Sequence, residues 1–174
     1  MKTFVQVIGA ATVLFGLLFA SERPAVPDNL KAPAGEAVIL VGHAKGVQIY
    51  VCQSSDQGSN WVLKAPEAEL TDENGKTIVH HSAGPTWKHI DGSEVTGKVV
   101  AKHDAPKAGA IPWLLLSAAS HSGHGIMDRV TTIQRINTDG GMPPQASTCS
   151  APANGNESRS NYSADYFFYA PTAQ

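Results

Sequence analysis

The stretch GPTWKHIDGSEVTG, residues 84–97, has the composition of a β-hairpin. Asp91-Gly92 separates the segment PTWKHI from SEVTGKVVAK, in which small or branched apolar residues alternate with polar ones. Asn-Gly and Asp-Gly pairs tolerate the positive φ angles of a two-residue type I′ turn. The stretch therefore predicts two antiparallel strands joined by such a turn. Asn74-Gly75 predicts a second hairpin of the same kind, between EAELTDE and KTIVHH.

The segments on either side extend this pattern into a sheet. GVQIYVCQ, residues 46–53, alternates with the period of two that is typical of a half-buried strand. IPWLLLSA, residues 111–118, is a continuous apolar run of the kind found in strands buried on both faces. RVTTIQRI is rich in β-branched residues and YSADYFFYAP in aromatic ones, so both predict further strands.

Residues 120–128 and 139–161 have the composition of loops. No helical periodicity of useful length follows residue 21. Short strands separated by turn signals predict an all-β fold, with a single antiparallel β-sandwich or barrel-like domain.

The chain divides into three segments along its length. Residues 1–20 combine Lys2 with an apolar run and predict a signal peptide helix, which implies a secreted or periplasmic protein. A membrane anchor is the alternative, because a spanning helix needs about 17 residues or more. Residues 21–35 form an irregular, proline-rich lead-in, and residues 36–171 form the single β domain. No later segment is apolar enough to predict a membrane span in the mature chain.

Cys52 and Cys149 are the only two cysteines. An even number of cysteines in an exported chain predicts a disulfide, which would tie the long segment 139–161 to the sheet. Two buried thiols are the alternative. A redox or zinc role would need a closer pair such as Cys-x-x-Cys, which the sequence lacks.

Charge and motifs narrow the function classes. The formal net charge is −2 with 16% charged residues, so no basic surface for nucleic acid is expected. The sequence contains no Gly-x-Ser-x-Gly, His-Glu-x-x-His, P-loop or dinucleotide-binding glycine pattern, and no cofactor is expected. A hydrolytic triad assembled from distant positions stays open as an alternative, because triads form in space rather than in sequence.

Seven histidines raise the question of a metal site. His80 and His81 are adjacent in a predicted strand, so their side chains point to opposite faces. His121 and His124 in HSGHG are weak candidates, because two ligands fall short of the three or four that zinc needs. No metal is therefore expected, and these histidines are interpreted as solvated loop residues.

A ligand groove is the third hypothesis. Trp87 lies close in sequence to His81, Asp91 and Ser93, and an exposed Trp beside an Asp can stack on and hydrogen-bond a ligand. Arg135 and Thr138 lead into the Gly140-Gly141 turn. The candidate ligand-binding residues are therefore His81, Trp87, Asp91, Ser93, Arg135 and Thr138. In the alternative interpretation, Trp87 packs in the core while Asp91 and Ser93 only form the turn.

Five segments, in order, carry a family resemblance: GVQIYVC, AGPTWKHIDGSEVTGKV, AIPWLLL, VTTIQRINTDGGMPPQASTC and YSADYFFYAP. From about Pro27 to Pro171 the chain resembles the exported domain-of-unknown-function family 3455 of bacteria and fungi. The resemblance implies export, pairing of Cys52 with Cys149 and one β-rich domain, but no activity. The sequence thus favours a non-enzymatic envelope or extracellular protein that binds an unknown ligand or an envelope component, with a small secreted hydrolase as the alternative.

Overall fold

The structure is a computed structural model that describes residues 22–172. The predicted signal peptide, residues 1–20, lies outside the described residues. Eight strands follow one another along the chain: β1 Glu36–Ser55, β2 Gly58–Thr71, β3 Thr77–Ser82, β4 Thr86–His89, β5 Glu94–His103, β6 Trp113–Ser122, β7 Thr132–Gly140 and β8 Glu157–Pro171.

The strands form one closed antiparallel barrel. Each strand pairs with the next along the chain, and β8 returns to pair with β1 from Glu36–Pro171 to Val51–Glu157. The prediction of a single antiparallel all-β fold is confirmed. Of the two arrangements that the sequence left open, the chain adopts the barrel, which leaves no sheet edge along β1 and β8.

Both predicted hairpins form, but their turns differ from the prediction. The backbone N–H of Gly92 donates to the carbonyl of His89, and the N–H of His89 donates to the carbonyl of Ser93. The loop therefore has three residues, and Gly92 occupies its last position with φ 91°. Gly75 takes the same place, with φ 79°. The predicted type I′ turns are wrong, because only the glycine of each pair adopts the left-handed conformation, as in a type I turn followed by a bulge.

Two predicted loops are shorter than expected, because polar segments join the ladder. Ser120, His121 and Ser122 pair with β5, and the 3-10 helix Ile126–Arg129 follows them. Strand β8 begins at Glu157 rather than Tyr162, where its first residues pair with the long β1. Polar side chains on the outer face of a barrel strand need no burial, so backbone pairing extends the strands beyond their apolar residues.

The core fills the barrel from its lower end, which we define by the β4–β5 turn and residues 123–131. Met127 and Val130 are fully buried and close this end beneath Val95 and Ile133. Trp87 lies above them, and its indole passes beside Gly97, where a Cβ atom would collide with the ring. The lower half of the barrel is therefore a packed interior.

The lead-in before β1 packs against the outside of the barrel. Leu30, in the 3-10 helix Asp28–Leu30, is fully buried, and its carbonyl accepts a 2.6 Å hydrogen bond from the Gln134 amide on β7. Arg23 lies over the ring of Tyr169 on β8. The irregular conformation matches its proline content, while its buried contacts fix it to β7 and β8.

The barrel wall is low on one side of its upper end. Strands β3 and β4 are short, so β2 pairs with β3 only from Ala68 onward, and β5 pairs with β4 only up to Thr96. Within the described chain, no strand pairs with the free edges of β2 and β5 above these residues. We call the resulting gap between β2 and β5 the notch; the β3–β4 turn, residues 83–85, forms its floor.

The long loop between β7 and β8 is attached to the upper end of the barrel. The structure pairs Cys52 of β1 with Cys149 as a disulfide, with Cα atoms 5.4 Å apart. Trp61 of β2 donates a 3.0 Å hydrogen bond to the Thr148 hydroxyl. Among residues 22–172, no helix has the length and apolar character needed to cross a membrane.

Candidate ligand-binding site

A cavity of about 260 Å³ lies inside the barrel above Trp87 and opens at the notch. Leu63 to Pro66 of β2 form one side of its mouth, and Val99 of β5 forms the other. Gly84 and Pro85, in the floor of the notch, form the lower edge of the mouth. Leu63 and Val99 are about half exposed, although both are apolar. The inner walls are formed by the following residues: Gln48, His81, Trp87, Leu114, Leu116, Arg135 and Tyr166.

The floor of the cavity is aromatic. The rings of His81 and Trp87, opposite each other on β3 and β4, are stacked with centroids 4.4 Å apart and planes 5° from parallel. Tyr166 meets both rings edge-on, at 5.4 Å and 5.7 Å. Such packing fixes the three rings relative to one another, so the floor is preformed.

His81 is held as a neutral imidazole. It is 3% exposed, and burial, helped by the nearby Arg135 charge, lowers its pKa to about 4 even though the hydrogen bond to the Thr86 carbonyl raises it. Its Nδ1 lies 2.9 Å from the Thr86 carbonyl oxygen, which can only accept, so Nδ1 carries the proton. At neutral pH the other ring nitrogen, Nε2, is therefore a hydrogen-bond acceptor.

Three residues that line the cavity carry buried N–H groups without an acceptor. Gln48 Nε2, Trp87 Nε1 and Arg135 Nε have no hydrogen-bond partner among the described residues. Gln48 and Trp87 are each at most 2% exposed. An unpaired buried donor costs about 1–3 kcal/mol, so three of them around one cavity indicate a place for an acceptor-bearing ligand.

The sequence brought six candidate residues forward, and the structure places three of them together. His81, Trp87 and Arg135 line the cavity. Trp87 is 1% exposed and packs in the core, as in the alternative interpretation; it is not the exposed Trp beside Asp91 of the groove hypothesis, although its ring also borders the cavity. Thr138 lies elsewhere, on β7, where its buried hydroxyl donates a 2.5 Å hydrogen bond to the Ile111 carbonyl.

Asp91 and Ser93 lie at the lower end of the barrel. Asp91 Oδ1 accepts from the N–H and the hydroxyl of Ser93, and Oδ2 accepts from the N–H of Ile126 at 2.8 Å. The Ser93 hydroxyl in turn accepts from the N–H of Met127 at 3.1 Å. These bonds attach the β4–β5 turn to the 3-10 helix. They also hold the pKa of Asp91 well below its usual range, chiefly through the Ser93 hydroxyl.

His89, Asp91 and Ser93 contain the residue types of a hydrolytic triad but not its order. The carboxylate stands in the middle, 2.6 Å from the Ser93 oxygen and 3.0 Å from His89 Nδ1. In a triad the histidine bridges the other two, so that it can take the serine proton. Ser93 is also fully buried. This cluster serves the fold.

The weak metal candidates lie apart from the cavity. His121 Nε2 lies 2.7 Å from the Val130 carbonyl oxygen, and His124 is fully exposed. Within residues 22–172, no group of three or more His, Cys, Asp and Glu side chains is placed to hold a metal ion.

Sequence reasoning missed Gln48 and Tyr166 as site residues. The alternation in GVQIYVCQ placed Gln48 on one face with Tyr50 and Cys52, and this face is buried in the barrel. A glutamine on an otherwise apolar or aromatic strand face is the available signal, because a buried amide needs partners. Tyr166 was hidden in an aromatic run with no feature that distinguishes it from its neighbours.

Residues 33–170 match the model of one protein family, described as Protein of unknown function (DUF3455). The chain belongs to this family. The match covers β1 to β8 apart from Pro171, so the DUF3455 barrel in this chain, with every residue of the cavity and the notch, lies inside the family region. No curated protein and no solved structure matches the chain.

Proposed function

We propose that this DUF3455 protein is a non-enzymatic, exported binding protein that holds a small, largely apolar ligand in the barrel cavity. The observation that carries the proposal is the cavity inside the barrel, open at the notch, with an aromatic floor and three buried N–H groups without acceptors among the described residues. Ligand sites are typically apolar hollows with a few convergent polar groups, and eight-stranded barrels are just wide enough to hold one small molecule.

The chemistry of the lining supports binding rather than hydrolysis. Ser, Thr, Cys, Asp and Glu are absent from the residues that line the cavity. The contacts of His81 are the rings of Trp87 and Tyr166 and the Thr86 carbonyl, and no Ser, Thr or Cys of the cavity lining stands beside it for activation. Export is supported by the Cys52–Cys149 pair, since disulfides persist in oxidising compartments.

The volume sets the size of the ligand. A cavity of about 150 Å³ accommodates benzene, so one of about 260 Å³ suits roughly ten non-hydrogen atoms. A longer ligand would extend through the notch, where Leu63 and Val99 provide apolar contacts.

Thermal denaturation with two probes of matched size, octanamide and octanoate, tests this proposal. We expect at least one of them to raise the Tm of the wild-type protein in a concentration-dependent manner. Ala65→Trp, which fills the mouth of the cavity, should abolish the shift. Val62→Trp, on an exposed neighbouring position outside the lining, should retain it.

Two results would contradict the proposal. The first is that neither probe raises the Tm of the wild-type protein. The second is that the shift is equal in Ala65→Trp and Val62→Trp, since binding would then lie outside the cavity.

A further inference from the structure

Arg135 is a cation inside the barrel without a counterion. Its strand neighbours are Leu114 on β6 and Tyr166 on β8, which also line the cavity. One Nη2 hydrogen bond of 2.9 Å reaches the Pro112 carbonyl, and Nε is buried without a partner. Among residues 22–172, no carboxylate oxygen lies within 4.0 Å of its guanidinium group.

Two other arginines, Arg23 and Arg159, have partners within the chain and lie on the outside of the barrel. Arg159 pairs with Glu67 at 2.7 Å, and Arg23 donates to the carbonyls of Ala32 and Pro33. Arg135 differs because it combines partial burial with a missing partner. A partly buried charge without a counterion carries part of the cost of a buried one, so Arg135 is the position in the cavity where an anion from outside the chain would be stabilised.

The residues around Arg135 indicate which chemical class of anion would fit the cavity. The cavity lining contains no carboxylate, and Lys64 at the mouth is already paired with Glu157, so Arg135 is the cation of the lining without a counterion among the described residues. Gln48 offers its unpartnered amide N–H from β1. Most of the remaining wall is apolar or aromatic, which suits a hydrophobic body but not a fully hydrated inorganic ion.

We infer that the cavity binds a small monocarboxylate with a hydrophobic body, whose carboxylate is held by Arg135 and Gln48 and whose body lies against Trp87 and Tyr166. This inference rests on the proposed function and adds the class of ligand. The guanidinium group presents donors in a planar arrangement that matches a carboxylate, and the charge-assisted bonds exceed neutral ones in strength. The apolar end of the ligand points to the notch.

Calorimetric titration at pH 7 with neutral isosteres tests the class. Octanoate is compared with octanamide, and 3-phenylpropionate with 3-phenylpropanamide, which separates aliphatic from aromatic bodies. We expect each carboxylate to bind the wild-type protein at least about tenfold more tightly than its amide, because charge-assisted bonds are worth about 1.4 kcal/mol or more. Sulfate at millimolar concentration should not compete.

Variants of Arg135 test whether this residue holds the carboxylate. Arg135→Met should remove the preference for the carboxylate while leaving amide binding within about threefold of wild type. Arg135→Lys keeps the charge without the planar group and should retain part of the preference. Arg129→Met, on the exposed surface of the lower end, is the matched control and should leave the preference unchanged.

The possible failures are distinguishable. Equal binding of carboxylates and amides, both blocked by Ala65→Trp, would overturn the inference and leave the binding cavity in place. A carboxylate preference that survives in both Arg135 variants would also overturn it. Should Arg135→Met fail to fold, the carboxylate and amide affinities of the wild-type protein and of Arg135→Lys still test the inference. No binding of either class would remove the proposed function itself.

Discussion

Two polar clusters in this barrel differ in how far the chain itself satisfies their hydrogen bonds. At the lower end, His89, Asp91 and Ser93 surround the β4–β5 turn, and both oxygens of Asp91 accept hydrogen bonds from the chain. In the cavity, Arg135 and Trp87 each keep a buried N–H without an acceptor. The hydrogen bonds of the first cluster are satisfied within the chain, whereas those of the second are not, and under the proposed function a ligand would complete them.

In this barrel, hydrogen-bond saturation distinguishes the turn residues from the residues that line the cavity better than residue type does. Trp87 and Asp91 are four positions apart in one hairpin, and the sequence grouped them as one candidate site. Their side chains lie in the cavity floor and at the lower end, respectively. Substitutions of Trp87, His81 and Asp91 test this division.

The largest expected effect is on Trp87, which belongs to both the core and the cavity floor. Trp87→Ala should lower the free energy of unfolding by about 3–5 kcal/mol, because the indole is fully buried and leaves a cavity. Urea denaturation measures this loss. Trp61→Ala, at a half-buried position outside the core cluster, is the control and should cost less.

A Trp87→Ala variant within about 1 kcal/mol of wild type would contradict the core role. Trp87 would then contribute little to stability, and the packed lower half of the barrel would end below it.

The next effect is on His81, whose burial makes stability depend on pH. In the unfolded chain the imidazole binds a proton below about pH 6.5, but in the barrel its pKa is about 4. Protons therefore favour the unfolded state, and stability is lost as the pH falls from about 6.5 to about 4. The gap between these pKa values corresponds to about 3 kcal/mol.

Urea denaturation between pH 7 and 4 checks this prediction. His81→Phe preserves an aromatic ring against Trp87 and should show a flatter pH profile than wild type. His80→Phe, whose side chain is exposed on the same strand, should keep the wild-type slope. Identical slopes for all three proteins would contradict the prediction, because they would mean that His81 is hydrated in the native state rather than buried.

Much of the fold is readable from local pattern. The alternation in GVQIYVCQ and the Asp-Gly and Asn-Gly pairs predicted strands and hairpins that the structure contains. The choice between sandwich and barrel depended on β1 pairing with β8, about 120 residues apart in sequence, which no local pattern encodes. The turn type was wrong because a glycine after Asn or Asp suits more than one hairpin loop.

The site was less readable, because it is assembled by strand register. Arg135 reaches the cavity through its pairing with Leu114 and Tyr166, and Gln48 through the face of β1 that turns inward. The sequence contained both residues, but it did not show which strand face closes around the interior. Residue proximity instead favoured Asp91 and Ser93, which the fold uses at its lower end.

The smallest expected effect is on Asp91, and it addresses the division directly. Asp91→Ala removes the acceptor for the Ser93 hydroxyl and for the Ile126 N–H, so we expect a loss of about 1–2 kcal/mol in unfolding free energy. Glu73→Ala, in the exposed turn of the other hairpin, should change stability by less than about 0.5 kcal/mol. Octanoate affinity should match wild type in both variants, because the cavity lies at the other end of the barrel. A variant of Asp91 that keeps its stability and loses octanoate binding would make the lower end the ligand site, and the saturation of its hydrogen bonds would no longer mark a structural role.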